Sequence, residues 1–327
     1  MACKLRRKAA GKPCIHYIKP GLCALPQFFR CIEYVEKFEP QLSYSSLMSF
    51  LRCRRKWYIE EILGLEPIEE MIPLPLKRGR DMHSLLAAMC DKDQEKVAPF
   101  ILNHRDEQEA VELAKITALG NAMEELGLVE PLRGKTEWEF TLMEEKLPRL
   151  HGFIDVVGGD WFAEFKYTGR PQEYLHPTFA KSQLAIYFLA LPDADKALMR
   201  PIRVPQMRPG VNEDLNKYTD RLKEDILRRP AFYFPNYDSK RKIWGSTVYR
   251  TEIEFEEVKE RLRWAVREIK RMVKEGSYFR NETACFFPDQ CPYLQLCETG
   301  LASPLLYRRK GDKQVGNGET KPEEVAW

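Results

Sequence analysis

The sequence predicts an α/β fold in which a central sheet is flanked by helices, and three observations carry that prediction. Apolar residues recur at helical spacing through much of the first 126 residues, three short β-rich runs follow Gly134, and the chain then alternates helix, strand and helix. Ser43 offers an N-cap, and Tyr44, Leu47, Phe50, Leu51, Tyr58, Ile59 and Ile62 continue at helical spacing to Gly64, which predicts one helix over 44–62. After a Pro-interrupted loop, 76–90 reads as a second helix carrying His83, and 106–126 as a third. Residues 136–143, 150–157 and 161–167 read as consecutive strands bounded by turn residues. Pro177 opens a helix reaching Leu191, 197–204 returns as a strand, 213–227 is helical, and a long charged helix covers 255–274.

Composition bounds the function. The chain has 327 residues with 44% hydrophobic and 31% charged, and its 18 Gly and 22 Pro are ordinary, so it is globular rather than collagen-like or low-complexity. Fifty-two basic and 49 acidic residues give a net charge of +3, so any nucleic-acid partner must be argued from local patches. No uncharged stretch reaches the roughly 18 residues of a membrane helix, and the basic N-terminus has no apolar run behind it, so a cytoplasmic location is expected. In that setting nine cysteines read as buried thiols or metal ligands rather than disulfides. The expected organisation is an appendage over 1–41, a main domain over 42–300 and a polar, disordered tail over 301–327. Within the main domain the expected parts are a helical region to 130, a core at 131–210, an accessory and helical part at 211–280 and a cysteine segment at 281–300.

The most informative stretch is HGFIDVVGGDWFAEFKYTG, where two β-like runs flank Gly158-Gly159, a hairpin signal. A two-residue turn pairs Val157 with Asp160, sets Asp155 across from Phe162 and Phe153 across from Glu164, and puts Asp155, Glu164 and Lys166 on one face. Two carboxylates and a lysine on a strand pair with apolar neighbours Phe153, Ile154, Val156, Phe162 and Phe165 are costly to bury unless they hold a cation, and oxygen ligands suit Mg²⁺ or Mn²⁺. A solvated surface strand is the competing reading.

His83 on a helix after Gly79, the GFID segment, EFKYTG on the next strand and Gln183-Leu-Ala-Ile-Tyr187 on the following helix resemble, in order and spacing, the PD-(D/E)xK nuclease superfamily in its RecB-like branch. The resemblance covers roughly residues 42–300 and implies a restriction-endonuclease-like core. It implies that Asp155 and Glu164 ligate Mg²⁺ or Mn²⁺ with the backbone carbonyl of Phe165, that Lys166 positions or activates the attacking water, that His83 completes the metal site, and that Gln183 and Tyr187 organise the substrate backbone. Phosphodiester hydrolysis suits those residue types, because it needs a cation to offset phosphate charge and acidify water and a donor to stabilise developing negative charge.

Cys285, Cys291 and Cys297 stand six residues apart in a turn-rich segment, and Cys53 in LRCRRKWY is a fourth candidate. Four thiolates hold either zinc or an iron–sulfur cluster, and the spacing leaves both open. Similarity to a branch of RecB-like nucleases, which includes CRISPR adaptation nucleases and the AddB repair subunit, implies a [4Fe–4S] cluster that clamps the ends of the nuclease domain. The chain departs from that branch in its longer gap before CPYLQLC and in Arg54, where proline is frequent. Cys14, His16, Cys23 and Cys31 are residue types able to bind zinc, but their irregular gaps favour scattered free thiols.

Arg52, Arg54, Arg55, Lys56, Lys77, Arg78 and Arg80 could neutralise phosphates, against a reading as solvated helix surface. The stretch holding Phe232, Tyr233, Phe234, Tyr237 and Trp244 beside Arg241 and Lys242 could stack single-stranded bases, although core packing is the commoner use of such aromatics. The expected function is a metal-dependent DNA nuclease, preferably an exonuclease acting on DNA ends in repair, recombination or phage DNA processing, with a helicase, recombination or adaptation partner conceivable. The alternatives are a non-catalytic DNA-binding or assembly subunit with a structural cluster, and a zinc-bearing structural protein.

Overall fold

The computed structural model describes residues 17–19, 22–23, 39–91, 107–176, 181–287, 290–300, 302–303 and 305–310. Cys14, His16, Cys31, Pro177 and the stretch 311–327 lie outside the described residues. In chain order the elements are β1 (Tyr17–Lys19), β2 (Leu22–Cys23), β3 (Gln41–Leu42), α1 (Tyr44–Arg52), α2 (Arg54–Trp57), β4 (Leu65–Pro67), α3 (Leu74–Asp91), α4 (Glu107–Glu125), β5 (Lys135–Leu142), β6 (Arg149–Val157) and β7 (Trp161–Thr168). There follow α5 (Lys181–Ala190), β8 (Lys196–Arg203), α6 (Leu215–Arg228), α7 (Pro230–Tyr233), β9 (Ser246–Tyr249), α8 (Phe255–Glu275), α9 (Leu294–Thr299) and β10 (Tyr307–Arg309). Two compact units result, one from residues 1–73, 144–149 and 260–327, the other from 74–143 and 150–259.

The second unit is a mixed sheet flanked by helices, as the sequence predicts. Strands β5, β6, β7, β8 and β9 are neighbours in that order, antiparallel except for β7 and β8. The parallel pair is the one joined through a helix, α5, since two parallel neighbours need a crossover rather than a hairpin. The strand ladder between β8 and β9 is a finding the sequence reading did not name.

One core of this unit joins α3, α4 and α6, through Met82, Leu86, Ile116, Leu119, Met123, Leu222 and Ile226, to Val156, Ala163 and Phe165 of β6 and β7. Phe162, on the alternate parity of β7, meets α5, with Phe188 at 4.8 Å and Tyr187 at 5.8 Å between ring centroids. The aromatic stretch 232–244 resolves largely into this core. Tyr233, Phe234 and Trp244 are buried, Phe234 and Trp244 meet edge to face at 5.7 Å, and the Trp244 indole donates to the Pro201 carbonyl at 3.0 Å. Core packing thus prevails over base stacking at those three positions. Arg200 lies over the Trp244 ring, and burial brings its guanidinium down to about 10 while it donates to the Ser246 and Met199 carbonyls.

The first unit contains the largest departure from the sequence prediction. Ser43 caps α1, its hydroxyl accepting from the Ser46 N–H at 3.0 Å, but the helix expected over 44–62 breaks at Cys53, whose backbone is extended at φ −156° and ψ 110°. The break is filled from the far end of the chain. The Asn281 side chain donates to the Arg52 carbonyl at 2.9 Å, the Asn281 N–H reaches the Cys53 sulfur at 3.4 Å, and the Arg55 N–H donates to the Phe279 carbonyl at 3.0 Å. Backbone groups freed by the break are thereby satisfied across the unit. After α2 the chain makes a π-helical turn over Tyr58–Ile62 and reverses at Gly64, which has φ +62°.

Tyr307–Arg309, inside the stretch expected to be disordered, pairs antiparallel with β4. A cluster of Tyr58, Ile59, Leu65, Tyr293, Leu296 and Tyr307 explains why, because it buries apolar surface that composition averaged over 301–327 conceals.

Asp225 of α6 is buried and accepts from Arg228 at 2.9 Å, from Arg229 at 2.6 Å and from the Tyr233 hydroxyl at 2.6 Å. Burial pushes its carboxyl up, but these donors outweigh burial and hold it down at about 2. A carboxyl lowered on folding stabilises fully above its unfolded value of about 4 and loses that contribution as pH falls through about 2. Asp225→Asn is expected to lower unfolding free energy by about 2 kcal/mol at neutral pH. Urea unfolding of both proteins checks this, and the gap between them should narrow below about pH 4.

Candidate active site

The site forms where β6 and β7 part. Val157 pairs with Phe162 and Val156 with Ala163, a register two residues away from that of a two-residue turn. The connection is longer than the sequence reading assumed: the Gly158 N–H donates to the Trp161 carbonyl at 2.8 Å, and the Trp161 indole lies where a Cβ on residue 158 would be, 2.1 Å away. A shift of two preserves side-chain parity, so Asp155 and Glu164 stay on one face, but Asp155 is now across from Glu164 rather than Phe162. Phe153, expected across from Glu164, is 54% exposed, while Ile154, Val156, Phe162 and Phe165 are buried.

Ladder pairing stops before Asp155, and its side chain replaces the missing backbone acceptor. Asp155 Oδ2 accepts the Phe165 N–H at 2.7 Å, and Oδ1 lies 3.0 Å from His83 Nδ1 on α3. Burial would raise the Asp155 carboxyl, but His83, the Phe165 N–H and Lys166 together hold it below the usual range. His83 moves the other way. Burial disfavours its charged form, yet the charge and hydrogen bond of Asp155, with Glu164 behind, raise it above an ordinary imidazole.

Glu164 is 3% exposed. Its Oε1 accepts from both the Lys166 ammonium and Gln183 Nε2, the latter at 2.7 Å, whereas Oε2 is buried with no hydrogen-bond partner. Burial and then the Asp155 charge push this carboxyl up to about 7, against the pull of Lys166. Gln183 Nε2 also lies 2.9 Å from the Tyr187 hydroxyl, one turn along α5. Both side chains are buried, and Tyr187 is held edge-on by Phe140 and Phe162, each at 5.8 Å. Gly152 permits this, since a Cβ there would crowd the Phe140 ring at 3.1 Å.

Glu137 escaped the sequence reading. The β5–β6 register sets it across from Asp155, and it takes φ +46° in mid-strand, a conformation that costs a residue with a Cβ. Partial burial and the Asp155 charge push its carboxyl up. Counting the register outward from GFID to the preceding strand would have found it.

The donor set suits a hard divalent cation. Asp155, Glu164 and His83 supply oxygens and an imidazole nitrogen, and the orphaned Glu164 Oε2 is a buried carboxyl oxygen that a cation would hold ionised. Among the described residues, no three His, Cys, Asp or Glu side chains are already drawn together as a metal cage.

The four cysteines Cys53, Cys285, Cys291 and Cys297 are free thiols of the first unit. Cys285 Sγ donates to the Asn281 carbonyl at 3.6 Å, the same residue whose N–H reaches Cys53 Sγ, and the Cys291 N–H donates to the Cys285 carbonyl at 2.9 Å. Burial pushes Cys291 and Cys297 up, and the charges of the other cysteines add to this, with Lys56 and Arg55 pulling the other way. Of the expected phosphate-neutralising residues, Arg54, Lys56 and Lys77 are paired with Glu268, Glu60 and Glu109. No helix among the described residues is long and apolar enough to cross a membrane.

A family model matches residues 41–298, the span that contains His83, Asp155, Glu164, Lys166 and Gln183. The chain belongs to the PD-(D/E)XK nuclease superfamily. Members of the PD-(D/E)XK superfamily are mostly nucleases and usually use Mg²⁺ or Mn²⁺, and DNA is the substrate that membership implies. No match emerges among the curated proteins compared with the chain.

Gln183→Leu removes one of the two donors to Glu164 Oε1, and on the expectation that this carboxylate holds the cation it should weaken Mn²⁺ binding more than it weakens the fold. Isothermal titration with Mn²⁺, alongside thermal unfolding, is expected to show about a tenfold loss of affinity.

Proposed function

We propose that this chain is a metal-dependent deoxyribonuclease that hydrolyses phosphodiester bonds from DNA ends. The observation that carries the proposal is the buried, unpartnered Glu164 Oε2 beside Asp155, a pair of carboxylates that burial makes costly without a cation. Asp155, Glu164, the Phe165 carbonyl and His83 would hold Mg²⁺ or Mn²⁺. When bound, the cation supplies neutralisation of the scissile phosphate and a lowered pKa for a coordinated water.

The chain's own groups do the rest. Lys166, already a donor to Glu164, is held protonated by that carboxylate against the cost of burial, and it donates to the attacking water or to the phosphate as negative charge builds. His83 and the Phe165 N–H fix both oxygens of Asp155, so this carboxylate stays ionised and oriented. Gln183 fixes Glu164 and is itself anchored by Tyr187, which supports a positioning role for this pair through Glu164.

The reading is tested on end-labelled linear and closed circular DNA with Mg²⁺, Mn²⁺ or EDTA. Linear DNA should be degraded only with metal, and Glu164→Ala or Lys166→Ala should cut the rate at least about 100-fold with unchanged thermal unfolding. Cleavage of closed circles would replace the exonuclease reading by an endonuclease one, and DNA binding without cleavage would favour the assembly subunit.

We propose further that Cys53, Cys285, Cys291 and Cys297 hold a [4Fe–4S] cluster. Four free thiols in the first unit, two of them joined through Asn281, whose N–H reaches Cys53 Sγ and whose carbonyl accepts from Cys285, support this. Anaerobically purified protein is expected to be brown, with iron and sulfide in equal amounts, and Cys291→Ala to be colourless and less stable. Colourless wild type containing zinc would overturn it.

A further inference from the structure

The first unit carries an arginine-rimmed aromatic cavity that the reaction described above does not use. It has a volume of about 240 Å³ and is lined by Phe50, Trp264 and Phe279 together with Arg52, Arg54 and Arg280. Soluble proteins ordinarily cover such rings, yet here Phe279 is 65% exposed and Trp264 40% exposed. The Trp264 ring on α8 packs against Phe50 on α1, centroids 6.5 Å apart and tilted by 58°.

The charge around these rings is unbalanced. Arg54 is spoken for, with Glu268 at 3.3 Å and the Phe50 ring beneath its guanidinium at 5.6 Å. Arg52 donates to the Phe287 carbonyl, a neutral acceptor that orients the guanidinium without cancelling its charge. Arg280 is exposed and has no partner among the described residues. Among the described residues, no carboxylate lines the cavity. A ligand that fits must therefore offer a flat ring system to stack and an anion for two uncompensated guanidinium groups. A nucleotide within a single strand has both, and its base is free to leave the stack, which a base in a duplex is not.

We infer that this cavity is a single-stranded DNA subsite, in which a base stacks on Trp264 and Phe279 while Arg52 and Arg280 hold flanking phosphates. The inference rests on the nuclease reading for the identity of the polynucleotide, and it extends that reading by naming the strand state that the first unit grips.

The test is binding of a fluorescein-labelled oligothymidylate, and of its duplex, by full-length protein in EDTA, where binding is read apart from hydrolysis. Trp264→Ala should weaken single-strand binding about tenfold and Trp264→Phe should recover most of the loss, as expected for a stacking platform. Quenching of tryptophan emission by the oligonucleotide should be smaller in Trp264→Phe. Arg280→Ala should flatten the dependence of log affinity on log salt by about 0.7, the value for one phosphate contact on a single strand. Because residue 280 is exposed, this variant carries the test even if Trp264→Ala fails to fold. Unchanged affinity and salt slope in Arg280→Ala, with undiminished quenching in Trp264→Phe, overturn the inference, as does tighter binding of duplex than of single strand. Single-strand binding at Trp264 by a chain that cleaves no DNA with metal would sustain the subsite and fail the nuclease reading.

Discussion

Two carboxylates a strand apart and almost out of contact with water are the constraint on which the second unit turns. Asp155 and Glu164 repel each other, and a low-dielectric setting amplifies the repulsion, so each needs its own means of support. Asp155 obtains one by ending the strand ladder and taking the Phe165 N–H for itself, with His83 on its other oxygen. Glu164 receives Lys166 and Gln183 on one oxygen only. The separation of β6 from β7, the place of α3 with its histidine and the packing of α5 with its Gln183–Tyr187 pair all serve this arrangement. The remaining imbalance, a buried oxygen with nothing to meet, is what a divalent cation would relieve.

Much of this was legible in the sequence, for reasons that differ by residue. The face shared by Asp155, Glu164 and Lys166 follows from strand parity, and parity survives an error of two in register, which is why a wrong turn length still gave the right grouping. The turn itself was misread because Trp161 folds over Gly158, a contact no dipeptide rule encodes. Glu137 was missed because its unusual backbone conformation is imposed by tertiary context rather than by a turn residue.

The break at Cys53 shows the opposite limit. Helical periodicity through 44–62 is real, but Phe279 and Asn281, more than 220 residues away in sequence, offer the backbone other partners and win. No local pattern announces such a contact. The same blindness applies to β10, whose partner β4 lies at the other end of the chain. The aromatic stretch 232–244 was ambiguous for a related reason, since rings that stack on bases and rings that fill a core have the same composition, and burial alone separates them.

The antiparallel pairing of β4 with β10, and the hydrogen bonds between the Cys53 break and residues 279–281, give the first unit an order of assembly. The second unit is encoded by a nearly continuous stretch, so its contacts are available once residue 259 has left the ribosome. The first unit is not, because half of it has yet to be synthesised at that point. Residues 39–67 must therefore wait, with the apolar side chains of Tyr58, Ile59 and Leu65 uncovered, until the cysteine segment and Tyr307 arrive. Uncovered apolar surface makes that interval the one most open to aggregation, and the described residues from 281 to 310 bring it to an end.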